Sequence, residues 1–104
     1  MNSNDFDKFR SKFIKKTFDL SDKKRIEYCR GLQDEDVLTN FKSIGERLNI
    51  PPGKVLSIYL FKHIDSLTNH IKDGKEYSDE PIDGRISDII NYLLLYLCLI
   101  DEQK

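Results

Sequence analysis

Residues 82–100 read IDGRISDIINYLLLYLCLI. No strand alternates this way, and a helix at ~100° per residue spreads these apolar side chains around nearly its whole circumference. Such a segment is either the central helix of a bundle or a helix whose outer side meets a second copy of the chain. We expect the second, a homo-oligomer interface. The run is too short to span a bilayer, which needs ~20 apolar residues. Ser78 is expected to open this helix, with Pro81 in its first turn.

Working back from it, Pro51 and Pro52 mark the entrance of a long helix running to about Lys72, with Gly74 as its stop. Leu56, Leu60, Ile64, Leu67 and Ile71 form its expected apolar face, with His63 at the border. Before Pro51, a helix carrying Val37, Leu38, Phe41, Ile44 and Leu48 is capped by Asp36. Two further helices are expected nearer the start. One is capped by Asn4 with Phe6, Phe9, Phe13 and Ile14 inward; a short one runs from Ser21 to Gly31 with Ile26 and Cys29 inward. Hairpin signals and repeats are missing, so the fold class is all-α: a single domain of about five helices, with basic N-terminal helices over 1–31 and a helical core over 36–101.

The 104 residues include 17 Lys+Arg and 18 Asp+Glu, a formal net charge of −1. That balance argues against a general nucleic-acid coat, which needs a basic excess. The charge is nevertheless segregated: residues 1–30 hold nine basic and five acidic side chains, and residues 31–104 hold eight and thirteen. A basic first helix can be a solvated face or can meet an anionic partner. Cys29 and Cys98 have no metal-ligand spacing and are expected as small apolar fillers. The polar start lacks the apolar core of a signal peptide, which places the chain inside a cell.

Chemistry is expected on the polar stripes of the last two helices. Arg85, Asp88 and Tyr92 share one ~60° sector, with Asn91 ~60° away. Arg85 can bind phosphate or carboxylate, Tyr92 can stack on a ring, and Asp88 or Asn91 can read a base or ribose. The alternative is an Arg85–Asp88 pair that only orders the helix start. Lys62, His63 and Asp65 form a second polar group, and Asn40 and Lys42 complete the candidates. Phosphate-loop, dinucleotide-binding and nucleophile-elbow motifs are missing, so no cofactor is expected. His63 and His70 lack the spacing of a known metal pair. The acids Glu76, Asp79, Glu80, Asp83 and Asp88 lack the repeated ExxE spacing of all-α metal-dependent nucleotide pyrophosphatases, so metal-dependent turnover is not expected.

Asn40-Phe41-Lys42, Lys62-His63-Ile64-Asp65, the turn from Ser78 to Arg85, Asp88 and Asn91-Tyr92 together resemble a family of small phage-encoded helical proteins. Over residues 36–101 they are also similar to the nucleotide-modification-associated helical domain of phages. The chain departs from that pattern at Cys29-Arg30-Gly31-Leu32, where a Lys-Gly…Tyr segment is usual. The resemblance implies a phage accessory protein in the cytoplasm of an infected bacterium, with a nucleotide-type ligand. It would sequester a host-defence nucleotide, or hydrolyse or modify a nucleotide with Glu80 and Asp88 holding a divalent cation. A protein–protein adaptor using the basic first helix is the third expectation.

Overall fold

A computed structural model describes residues 1–28, 36–75 and 79–104, with side chains described as far as Arg25 in the first segment. Four helices occur among the described residues: α1 (Ser3–Tyr28), α2 (Thr39–Leu48), α3 (Pro52–Asp73) and α4 (Ile82–Glu102). The chain divides into two units, residues 1–35 and 36–104. All-α holds; the expected count of five helices does not.

The discrepancy lies in α1, where two expected helices are one. Asp19, Leu20, Ser21 and Asp22 include no Gly or Pro to stop the helix, and ion pairs bracket the supposed break. Lys15 Nζ lies 2.7 Å from Asp19 and Arg25 Nη2 lies 3.3 Å from Asp22. Pairs three and four residues apart support helix continuation. The cap is also displaced: Asn2 Oδ1, not Asn4, accepts the Asp5 N–H at 2.8 Å. Phe6 and Phe9 are exposed rather than inward, while Phe13 and Ile14 are half-buried. Cys29 and the Gly31 stop lie outside the described residues, as does the side chain of Ile26.

In the second unit, local sterics set the helix ends. Asp36 Oδ1 accepts the Leu38 N–H at 2.9 Å, and its carbonyl accepts from Thr39, so the aspartate makes a turn ahead of α2 rather than capping it directly. At the other end Asn49 adopts a left-handed conformation (φ 56°), and the Ile50 N–H closes onto the Gly45 carbonyl at 2.9 Å. Gly45 is required there: a Cβ would stand 2.7 Å from the Ile50 carbonyl oxygen. Pro51 is extended (ψ 146°) and Pro52 begins α3, as its fixed φ favours. Gly74 (φ 70°) ends α3 by donating to the His70 carbonyl at 2.7 Å. Pro81 precedes α4 in an extended conformation (ψ 157°) instead of lying in its first turn. Ser78 lies outside the described residues.

Helix α3 packs against both α2 and α4. Leu38, Phe41, Val55, Leu56 and Leu99 form the buried core, with Ile44, Ile50, Leu60, Tyr92 and Leu95 packed against it. The apolar face of α3 is therefore rotated from the expected one: Val55 and His63 are buried, and Ile71, in the last turn, is 75% exposed. Helix α4 is not enclosed. Leu93, Leu94, Tyr96, Leu97 and Ile100 are exposed, as is Cys98, which is not a core filler. None of the described helices is long and apolar enough to cross a membrane.

Candidate metal centre

His63 enters the α3–α4 interface from the middle of α3, one side of its ring against Tyr92 of α4 (centroids 5.4 Å apart). Tyr92 also contacts Phe41 and stacks on Tyr59 with an interplanar angle of 15°. This aromatic wall fixes the imidazole and removes water from one face. Burial accordingly pushes the His63 pKa below its ordinary value, opposed by Asp88 and Glu80 and aided by Arg85 and Lys62.

Two carboxylates meet the imidazole. Asp88, one turn before Tyr92 on α4, places Oδ2 3.8 Å from His63 Nδ1. Glu80 arrives from the segment ahead of α4 and folds back across its first turn. Gly84 eases this approach: a Cβ there would meet Glu80 Oε1 at 3.1 Å, and the carboxylate would have to give by a few tenths of an ångström. One ligand atom from each of His63, Glu80 and Asp88 lies within 4.8 Å of the other two. Tetrahedral ligands at ~2.1 Å from one ion stand ~3.4 Å apart, so side-chain adjustments of about an ångström would close the set.

Arg85 supplies the positive charge of this cluster. Its Nη1 lies 3.1 Å from His63 Nδ1 and its Nε 3.5 Å from Glu80 Oε2. A guanidinium only donates, so Nδ1 accepts and the neutral ring carries its proton on Nε2. The Nδ1 lone pair and the Asp88 oxygen therefore face a common space as two electron-pair donors. That lone pair is the one a metal ion would use. The side chains of His63, Arg85 and Asp88 are 11%, 12% and 17% exposed, whereas Glu80, at 36%, keeps an opening to solvent.

None of the family models, curated proteins or solved structures compared matches this chain. The phage-family resemblance accordingly rests on the motif residues alone.

Of the residues picked out from sequence, the structure gathers Arg85, Asp88, Tyr92 and His63. Asn91 is half-buried beside Tyr92, and Lys62 and Asp65 are exposed on the outer side of α3. Asn40 is exposed at the start of α2. Lys42 lies apart from the cluster: it ties Asp36 to Glu102 at 2.5 and 2.7 Å, bridging α2 and the end of α4. An open groove of about 450 Å³ at the α2–α3 turn is lined by Lys42, Gly45, Glu46 and Pro51 among others, none of them in the cluster. His63 comes within reach of carboxylates that the sequence spacing did not pair with it. His70 is not its partner; two acids from the α4 side are. Glu76 lies outside the described residues. Tyr59 was missed, and so was the importance of Glu80 relative to Asn40 and Lys42. The signal for Glu80 was the glycine four residues after it, which leaves space at the helix start for a carboxylate to turn back.

Proposed function

We propose that the second unit binds a divalent cation through His63, Glu80 and Asp88, and that the ion serves hydrolysis or modification of a nucleotide-type substrate. The convergence of one imidazole and two carboxylates within 4.8 Å carries this reading. A mixed nitrogen and oxygen donor set suits Mn²⁺ or Zn²⁺. Three protein ligands leave coordination positions open, as catalytic rather than structural sites do. Sequestration of a nucleotide without turnover would need no such ligand set, so the metal-dependent reading stands ahead of it. A phage accessory role in the bacterial cytoplasm accompanies this proposal, on the strength of the motif resemblance.

Calorimetric titration of Mn²⁺ tests it. Wild type should bind one ion per chain, and His63→Ala and Asp88→Asn should each weaken binding by more than the ~10- to 100-fold typical of losing an outer-shell partner. Equal binding by wild type and both folded variants would dismiss the site. Turnover is then read as release of phosphate or pyrophosphate from a nucleoside triphosphate panel, present with Mn²⁺ and absent in Asp88→Asn.

A second reading is favoured by the Arg85–His63 hydrogen bond. In it the guanidinium is the permanent cation, and the cluster is a polar latch joining α3 and α4. The two readings differ over whether a divalent ion stabilises an Arg85 variant.

We also propose that the exposed stripe Leu93, Leu97 and Ile100 of α4 pairs with a second copy. From Ile89 to Ile100 the helix has no charged residue, so self-pairing sets no like charges against each other. Light scattering should show a dimer that Leu97→Glu converts to a monomer of unchanged helicity. A strict monomer in the wild type refutes it.

A further inference from the structure

Resting on the metal reading above, we infer that Arg85 is an exchangeable occupant: a divalent cation takes His63 Nδ1 from the guanidinium, and the released guanidinium then holds a phosphate-type oxyanion beside the ion.

The argument begins with a shared lone pair. Arg85 Nη1 lies 3.1 Å from His63 Nδ1, so the guanidinium and a metal ion cannot both use that nitrogen. Metal entry therefore releases the Arg85 N–H that His63 now accepts. The side chain cannot leave far, because its backbone belongs to the first turns of α4 and its Nε already faces Glu80 at 3.5 Å. It stays next to the ion, with donors turned from an imidazole to whatever lies in the open coordination positions.

Charge then decides what that is. With a neutral imidazole, the cluster of Glu80, Asp88 and Arg85 sums to −1, which repels anions. A divalent ion changes the sum to +1, in a site whose side chains are mostly shielded from water. An oxyanion that coordinates the ion and accepts from the guanidinium satisfies both. Phosphate fits better than a carboxylate, because it can give one oxygen to the metal and another to the guanidinium while keeping further oxygens and charge for the open coordination positions. The anion is thus excluded before the metal arrives and attracted afterwards. Cation and phosphate bind in that order, with positive coupling.

Coupling between two ligands is reciprocal, which gives an internal check. The probes are Mn²⁺ and inorganic phosphate, each titrated calorimetrically alone and in the presence of the other, below the concentrations at which they precipitate. Phosphate alone should show no binding. With the protein loaded with Mn²⁺ it should bind, and phosphate should tighten Mn²⁺ by the same factor, about 10-fold or more. Arg85→Gln should keep Mn²⁺ binding and lose the phosphate effect, whereas Lys72→Gln, in the exposed last turn of α3, should retain it. If Mn²⁺ itself fails to bind, the metal reading fails and the exchange with it. If Mn²⁺ binds but phosphate changes nothing, or phosphate binds equally without the ion, the exchange alone is overturned. Retention of the full phosphate effect in Arg85→Gln also overturns it.

Discussion

Leu56→Ala should lower the stability of the second unit by about 2–5 kcal/mol, seen as a fall of roughly 10–25 °C in the midpoint of a circular dichroism melt. Leu56 is 2% exposed and is among the largest fully buried side chains, in a core of five buried apolar residues among those described. Truncation removes its transfer free energy and leaves a hole between α3 and its neighbours that so few side chains cannot collapse to fill. Folded domains are stable by only ~5–15 kcal/mol, so the loss is a large share of the whole. Ile71→Ala, four turns further along the same helix and 75% exposed, should change stability by no more than ~0.5 kcal/mol. Comparable losses at the two positions would contradict the observed orientation of α3.

Arg85→Gln should destabilise the metal-free protein and make Mn²⁺ a strong stabiliser. Removing the guanidinium takes the positive charge away from Glu80 and His63, and breaking a buried charge pair costs about 3–5 kcal/mol in enclosed sites. The partial exposure of Glu80 places this cluster at or below the lower end of that range. The same change removes the competitor for His63 Nδ1 and makes the site more negative, so the ion should bind at least ~10-fold more tightly. Since a ligand stabilises by RT ln(1 + [L]/Kd), Mn²⁺ at 100 times Kd would restore about 2.7 kcal/mol. Thermal melts of both proteins with and without Mn²⁺ measure this directly. A polar latch predicts the first half only: a lower melting temperature that no divalent ion restores.

The sequence was informative wherever structure is set by one residue and its immediate neighbours. Pro51, Pro52 and Gly74 act through their own backbone dihedrals, and the limits of α3 follow them. The stretch around Ser21 misled because serine only tolerates a helix start and does not impose one, while the Lys15–Asp19 and Asp22–Arg25 pairs favour continuation. His63 stood at the border of a polar stripe, and only the packing of α4 across α3 decides that it turns inward. Arg85, Asp88 and Tyr92 were legible as a group because a single helix brings them together. Glu80 was not given equal weight, because it precedes α4 and its approach depends on the missing side chain of Gly84. Ile71 has the right spacing for the core, but the final turn of α3, over residues 71–75, is exposed throughout.

The packing of α3 on its two sequence neighbours also bears on how quickly the unit forms. Its contacts join α2 to α3 and α3 to α4, so each requires closure of only a short loop. Helical domains with such local contacts fold in microseconds to milliseconds, since little chain entropy is lost before packing begins. All three proposed ligands lie between His63 and Asp88, within the α3–α4 hairpin itself. The cluster is therefore assembled in the same step that docks these two helices.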